Sequence, residues 1–127
     1  MDNSELRKAV ENLNKLIRKR PWMDFEVRQY FRNKLTIYGG IDLLYSHEIE
    51  IYFENIFFVS LPIEWKTDTK KNVVKILESE ESRKVNIKYK VEQGFTIFSF
   101  KPEDYPDDFG CLIGAKELSY KIMSTVK

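Results

Sequence analysis

The sequence predicts one α+β domain, residues 1–127, in which a mostly antiparallel sheet of about five or six strands packs against an N-terminal amphipathic helix. Three observations predict this fold. Apolar residues recur at helical spacing near the start of the chain, later segments alternate between apolar and polar residues, and turn-forming residues separate those segments. The chain has 127 residues, of which 43% are hydrophobic and 32% charged, which is enough to bury one core without disulfides or a metal.

The N-terminal helix is predicted over residues 3–19. Its apolar residues return at steps of three and four and therefore share one face: Leu6, Ala9, Val10, Leu13, Leu16 and Ile17. Asn3 or Ser4 can cap its first amides, and Pro21 ends it. Residues 22–34 suit a short second helix, although the same residues could also run as a strand.

Two hairpins are predicted between residues 35 and 61. The first turns at Gly39-Gly40, a pair that tolerates the positive φ of a tight turn. The second turns at Glu54-Asn55, because asparagine accepts a left-handed conformation. The strand that returns from this turn is apolar on both sides, so its second face needs a cover. Either the N-terminal helix or a partner protein could supply it, and we favour the helix because large exposed apolar patches are uncommon on monomers.

A third hairpin is predicted to join residues 83–91, which alternate strictly, to residues 95–100 through Gly94. Residues 101–110 contain two prolines and four acidic residues and are predicted to form a loop. Residues 111–123 fit both a helical stripe and an alternating strand, and we favour the strand.

The charge and the cysteine count exclude several function classes. A net charge of +1 argues against a dedicated nucleic-acid or membrane-surface protein. The longest strongly apolar run, IFFV, is far shorter than the roughly 20 residues of a membrane helix, and the N-terminus does not resemble a signal peptide, so we expect a cytoplasmic protein. The single cysteine, Cys111, excludes an internal disulfide and a cysteine zinc cluster. No cofactor-binding motif is present, and we predict no cofactor.

The best catalytic pattern is Asp42 followed by Glu64-Trp65-Lys66. An aspartate and an acidic-x-lysine pair are the working parts of a large class of Mg²⁺-dependent nucleases, in which the carboxylates hold the ion and the lysine steadies the attacking water or the phosphate. Such a pattern also arises by chance in a chain with 32% charged residues, and Pro62 disturbs the strand that would present it. A metal-dependent phosphodiesterase is therefore the alternative function.

The strand that follows His47 is the best interaction surface. Glu48, Glu50 and Tyr52 alternate onto one face of it, where an aromatic residue among charges can give affinity and specificity, and Trp65 is a further candidate. His47 is the only histidine of the chain, and we expect a partly buried ring bound to a carboxylate or a carbonyl.

The segment SHEIEIYFENIFFVSLPIEW, residues 46–65, places a histidine and an alternating strand before the pattern F-x-x-I-x-x-V-x-L-P-x-x-W. In this arrangement it resembles small bacterial proteins of immunity type or of unassigned role. The resemblance covers about 20 residues and implies a non-enzymatic protein that binds and blocks a protein partner, with no catalytic residues to transfer. The predicted function is a cytoplasmic protein-interaction module that acts by occlusion, and its oligomeric state is left open.

Overall fold

A computed structural model describes residues 1–106 and 109–123 of the chain. In chain order the elements are α1 (Asn3–Ile17), β1 (Trp22–Phe31), β2 (Lys34–Gly40), β3 (Ile49–Ser60), β4 (Glu64–Asp68), β5 (Val74–Ile76), α2 (Ser79–Tyr89), β6 (Thr96–Phe100) and β7 (Leu112–Ile122). The strands form one antiparallel sheet in the order β4-β1-β2-β3-β7-β6-β5, which curls into a half-barrel. The α+β class with an N-terminal helix is confirmed, but the sheet has seven strands instead of five or six.

Helix α1 covers one side of the sheet, which we call the inner face. The helix begins with a capping box, in which the Asp2 carboxylate accepts from the Glu5 amide at 2.8 Å and the Glu5 carboxylate accepts from the Asp2 amide at 3.0 Å. Its buried stripe packs with inward-facing residues of the strands, among them the fully buried rings of Phe25, Phe53 and Phe98. Each buried side chain of this size contributes roughly 1.5–3 kcal/mol to folding.

The helix predicted over residues 22–34 is wrong, because Trp22–Phe31 is strand β1. Met23 and Phe25 face the core at the two-residue spacing of a strand. A register shift between Val27 and Gln29 then breaks the alternation, so that the apolar residues at the end of the strand mimic a helical stripe in the sequence.

The hairpin turn predicted at Gly39-Gly40 is also wrong. The turn lies at Arg32 and Asn33, whose φ angles of 48° and 67° match the two-residue turn that joins twisted strands. Gly39 lies within β2, at a place where the sheet is packed too tightly for a side chain. A Cβ on Gly39 would stand 2.9 Å from both Ile49 Cγ2 and Phe25 Cε1.

Strand β3 does not turn at Glu54-Asn55 as predicted. Asn55 has the expected left-handed φ of 57°, but it forms an irregularity inside one long strand that pairs with β7 on both sides of it. The Asn33 carbonyl accepts from the Asn55 amide, and the Asn33 side chain accepts from the Ile56 amide, both at 3.0 Å. The bulge is therefore held by the neighbouring β1–β2 turn.

The predicted strand at residues 83–91 is helix α2, so the third hairpin is wrong. Val85 and Tyr89, one helical turn apart, pack on the face opposite α1, which we call the outer face, and the Tyr89 ring stacks on Phe58 with centroids 4.5 Å apart. Ile87 points away and is 68% exposed. The second face of the apolar strand is therefore covered by α2 and not by α1.

The C-terminal elements follow the prediction more closely. Thr96–Phe100 and Leu112–Ile122 are strands β6 and β7, which confirms a strand in each place. Residues 101–106 and 109–110 contain no helix or strand, as expected of a loop. Positions 107–108 of that predicted loop lie outside the described residues.

Both free edges of the sheet are covered by hydrogen bonds from elsewhere in the chain. At β5, the buried Asn14 side chain of α1 accepts from the amides of Val73 and Val74 at 3.0 Å and donates to the Val74 carbonyl at 2.8 Å. At β4, the Lys66 carbonyl accepts from the Glu103 amide at 2.8 Å. Edges covered in this way resist strand addition by another chain.

Candidate functional site

Four polar side chains contact one another on the outer face of the sheet, and we call them the outer-face cluster: Tyr38 of β2, His47 just before β3, and Glu50 and Tyr52 of β3. His47 stacks on Tyr38 with ring centroids 3.7 Å apart and donates from Nε2 to Glu50 Oε2 at 2.7 Å. The Tyr52 hydroxyl donates to the other carboxylate oxygen, Oε1 of Glu50. The expectation for His47, a partly buried ring bound to a carboxylate, is confirmed.

The sheet register brings these residues together. Tyr38 of β2 is paired directly with Glu50 of β3, and Thr36 is paired with Tyr52. Their chain neighbours Ile37 and Ile51 face the core, so the cluster lies on the face that α1 does not cover. Among the described residues, none of the four belongs to the apolar cluster of Leu77, Ile97 and Leu112, against which α2 packs.

The pKa values of Glu50 and Tyr52 shift in opposite directions, and the hydrogen bond that the two groups share contributes to both shifts. The bond from the Tyr52 hydroxyl lowers the pKa of Glu50 from 4.5, with further lowering by His47 and Lys121, although partial burial opposes the shift. Burial, followed by the Glu50 carboxylate, raises the pKa of Tyr52 from 10.0 to about 12. The cluster therefore holds a carboxylate and a neutral phenol at neutral pH.

Two cations lie against the aromatic rings of this face. The Arg28 guanidinium is 5.1 Å from the Tyr38 ring centroid and pairs with Glu26 at 3.1 Å. Lys34 Nζ is 4.3 Å from the Tyr52 ring centroid. Tyrosine and arginine on one surface are typical of the residues that dominate binding energy at protein interfaces.

The 41–48 loop, which joins β2 to β3, stands beside the cluster. It presents Leu44 and Tyr45, which are 94% and 87% exposed. Asp42 organises the loop, since its side chain accepts from the Leu44 amide at 3.1 Å and its carbonyl accepts from the amides of Tyr45 and Ser46 at 3.2 and 3.3 Å. Two large apolar side chains are thus held in water by a hydrogen-bonded turn.

Glu48 closes the base of the loop. Its carboxylate accepts from the Ile41 amide at 2.8 Å and pairs with Arg20, just after the end of α1, at 2.6 Å. Its side chain is only 15% exposed. Glu48 therefore positions the loop against α1, whereas Glu50, whose side chain is 18% exposed, and Tyr52 lie in the cluster.

Trp65, the fourth interaction candidate, lies in the core. It is 4% exposed and stacks on Phe25 with centroids 5.6 Å apart, while Phe100 meets it edge-on at 5.2 Å. Its Nε1 has no hydrogen-bond partner among the described residues. Trp65 is therefore a residue of the hydrophobic core.

The alternative catalytic residues come together only in part. Asp42 and Glu64 line one cavity of about 440 Å³, together with Asp24 and Glu26, and we call it the acidic cavity. Burial raises the pKa of Asp24, with Asp42 adding to the shift and Lys66 opposing it. Among residues 1–106 and 109–123, no three His, Cys, Asp or Glu side chains are arranged to hold a metal ion.

Cys111 shows no sign of nucleophilic activation. It is 1% exposed, and burial raises the pKa of its thiol to about 12. A buried thiol of this kind packs as a small apolar residue.

Sequence reasoning missed Tyr38, Leu44 and Tyr45. The placement of a turn at Gly39-Gly40 assigned the residues after it to a returning strand, which hid the loop. The available signal was the run Asp42-Leu43-Leu44, an aspartate that can form a turn with its own backbone followed by apolar residues.

Comparisons with protein-family models, curated proteins and solved structures found no match for this chain. In the described part of the chain, neither helix has the length and apolar character needed to cross a bilayer.

Proposed function

We propose that this protein is a non-enzymatic interaction module that binds a partner protein through the 41–48 loop and the outer-face cluster. The observation that carries the proposal is the exposure of Leu44 and Tyr45, at 94% and 87%, in a loop tied down by hydrogen bonds. Because hydrogen bonds already order the backbone of the loop, binding does not have to fix that backbone, and this favours affinity.

The outer-face cluster supplies the polar part of the same surface. Tyr38, His47, Glu50 and Tyr52 hold one another in place through stacking and hydrogen bonds. Their exposed edges can therefore meet a partner without first being ordered. An aromatic and apolar centre beside charged groups is the usual composition of an interface hot spot.

The mechanism is occlusion, in which the sheet face covers a functional surface of the partner and no bond is made or broken. The immunity-type resemblance of residues 46–65 supports a blocking role. We also propose a cytoplasmic location, because the single cysteine is a buried free thiol, as is typical of proteins kept in reducing conditions.

The test is affinity capture from a lysate of the source organism with the wild type and two double variants. Leu44→Ser/Tyr45→Ser removes the loop anchors. Tyr30→Ser/Ile87→Ser removes exposed apolar residues of comparable size, 58% and 68% exposed, from other surfaces. We expect one stoichiometric protein to survive moderate salt, to fall about tenfold with the loop variant and to stay with the control variant. Equal capture by all three forms, or no partner at all, would contradict the proposal.

A metal-dependent phosphodiesterase at Asp42, Glu64 and Lys66 is a second candidate, favoured by one observation: Asp42 and Glu64 face the same cavity. The enzyme would bind Mg²⁺ or Mn²⁺ and cleave a phosphodiester probe. Its turnover would fall at least about 100-fold in Glu64→Gln without loss of stability. A wild type that neither binds these ions nor cleaves the probe would leave only the interaction module.

A further inference from the structure

The second half of β7 has a free edge that neither β4 nor β5 closes. Strand β6 pairs with β7 only from Leu112 to Ala115, whereas β3 pairs with it as far as Ile122. Among residues 1–106 and 109–123, no hydrogen bond reaches the side of residues 117–122 that points away from β3. An unpaired stretch of this length, with exposed side chains at Ser119 and Lys121, can accept another strand.

The pairing with β3 determines which backbone groups point to this edge. The Glu48 carbonyl accepts from the Met123 amide at 3.0 Å, and the register with β3 is unbroken along this half of β7. Since the backbone groups of successive residues point to opposite sides of a strand, every second residue counted back from Met123 bonds to β3. The amides and carbonyls of Leu118, Tyr120 and Ile122 therefore point to the free edge.

The sequence of this edge is complementary to itself when two copies pair antiparallel about Ser119. Leu118 of one copy then lies opposite Tyr120 of the other, and the two residues can exchange both backbone hydrogen bonds, twice by symmetry. Glu117 lies opposite Lys121 on the outer face, also twice. A register centred on Leu118 would place Glu117 opposite Ser119, and one centred on Tyr120 would place Lys121 there. Of these three registers, only the one centred on Ser119 pairs the charges.

The two charges are poorly matched within one copy. Glu117 is paired directly with Glu54 of β3, and like charges opposite each other destabilise a sheet. Lys121 is paired with Glu50, whose carboxylate is already bonded within the outer-face cluster. Among the described residues, neither Glu117 nor Lys121 forms an ion pair. A lysine of a second copy would compensate Glu117 from the open side.

We infer that this edge pairs with a second copy of the chain, so that two β7 strands join two sheets into one across a two-fold axis at Ser119. The axis is perpendicular to the sheet. Both outer-face clusters therefore lie on the same side of the joined sheet, with the two β3 strands three strand spacings, or about 14 Å, apart. The pairing needs no partner protein, so it goes beyond the proposed function, and either can fail without the other.

Sedimentation equilibrium of the whole chain from about 10 µM to about 1 mM tests the dimer. Because the paired stretch is short, we expect a weak dimer with a Kd on the order of 100 µM. Glu117→Lys and Lys121→Glu each place like charges opposite each other at two symmetric positions, so each should weaken the dimer about tenfold. The double variant restores opposite charges and should return to within about threefold of the wild type.

Two features of the chain separate a lost interface from a damaged fold. Glu117→Lys relieves the contact with Glu54, so its weaker dimer would not reflect a less stable monomer. The matched charge controls are Glu11→Lys and Lys8→Glu, on the exposed side of α1, and both should stay within about twofold of the wild type.

A cysteine at the two-fold axis tests the register. Ser119 would face Ser119 of the second copy in a pair without hydrogen bonds, where Cα atoms lie about 4.5 Å apart, a distance that a disulfide can span. Under mild oxidation, Ser119→Cys should form a covalent dimer at least about tenfold faster than the exposed control Ser4→Cys, because Ser4 lies on α1, away from this edge. The native Cys111 is 1% exposed and does not compete.

Three results would each overturn the inference. A wild type that stays monomeric would leave the edge to a strand of another protein. Charge variants that dimerise as the wild type does, or a double variant no better than the single ones, would exclude this register. Equal rates of cross-linking at the two cysteines would place the contact elsewhere.

Discussion

The shared hydrogen bond between Tyr52 and Glu50 sets the chemistry of the outer-face cluster at the scale of single residues. The phenol donates to the carboxylate, so the pair is most stable when Tyr52 is neutral and Glu50 is charged. His47 donates to the second carboxylate oxygen and adds to the same preference. The pair should therefore lose stability at both ends of the pH scale.

At high pH, the raised pKa of Tyr52 predicts a late tyrosine ionisation. The contribution of the neutral phenol to the free energy of unfolding is fully present below pH 10 and is lost as pH rises through about 12. Absorbance titration of tyrosinate should show a step near pH 12 that Tyr52→Phe removes. Tyr45→Phe, in the neighbouring loop, should leave it in place, and a late step that survives Tyr52→Phe would contradict the assignment.

At low pH, the lowered pKa of Glu50 makes the free energy of unfolding fall as the pH falls. Its contribution to the free energy of unfolding is present above pH 4.5 and is lost as pH falls through the lower pKa of the folded state. Glu50→Gln should therefore be less stable than the wild type at pH 7, and the difference should shrink in acid. Denaturant unfolding at several pH values measures this, with the exposed Glu11→Gln as control. A difference that does not change with pH would exclude the carboxylate as the cause.

Part of the site could be predicted from the sequence at the scale of single residues. Strand alternation placed Glu50 and Tyr52 on one face, and the lone histidine was expected to contact a carboxylate or a carbonyl, of which the structure shows the carboxylate of Glu50. The role of Glu48 was not readable, because its partners, the Ile41 amide and Arg20, come together only through the folded loop and the end of α1. Trp65 was misplaced for a related reason, since its neighbour Phe25 lay in a segment predicted to be helical.

At the scale of elements, α1 secures the sheet edge through one polar side chain. Asn14 is 6% exposed and satisfies both the amide and the carbonyl of Val74, together with the amide of Val73. The helix thus supplies the hydrogen bonds that a further strand would otherwise make.

Asn14→Ala should lower the free energy of unfolding by about 2–4 kcal/mol, because it leaves buried backbone groups without partners. The matched control is Asn12→Ala, an exposed residue on the same helix, which should cost less than about 0.5 kcal/mol. Chemical denaturation measures both changes. Equal effects of the two variants would mean that the contact at β5 is unimportant for stability.

Glu48→Ala should loosen the 41–48 loop. The Ile41 amide loses its acceptor and Arg20 loses an ion pair, so we expect destabilisation by about 1–3 kcal/mol and exchange of the Ile41 amide that is at least about tenfold faster. Amide exchange followed by NMR gives the second quantity, with Glu54→Ala, in the following strand β3, as control. An unchanged Ile41 exchange rate would show that the loop is held without Glu48.

The elements differ in how far local sequence determines them. The apolar stripe of α1 predicted this helix from its sequence, although its N-cap is Asp2 and not Asn3 or Ser4, and it ends at Ile17 and not at residue 19. Strand β1 could not be predicted from its local sequence, because a bulge interrupts its alternation. Helix α2 could not be predicted either, because Val85, Ile87 and Tyr89 alternate as in a strand, whereas only Val85 and Tyr89 of these three contact the apolar cluster on the outer face. In both cases packing against the sheet overrides the local pattern.

At the scale of the whole molecule, the two faces of the sheet differ in what covers them. The inner face and α1 form the core, whereas the outer face is divided between α2 at the β6–β7 side and the uncovered outer-face cluster at the β2–β3 side. This division leaves an aromatic and apolar surface beside the 41–48 loop.

Amide hydrogen exchange of the captured complex, compared with the free protein, maps the bound surface and therefore tests whether the partner binds the 41–48 loop and the outer-face cluster. We expect slower exchange in residues 41–48 and in the paired stretches of β2 and β3 that carry Tyr38, Glu50 and Tyr52, with little change in α1. Protection confined to α1 or to the β1–β2 turn, with the 41–48 loop exchanging as fast as in the free protein, would contradict the account.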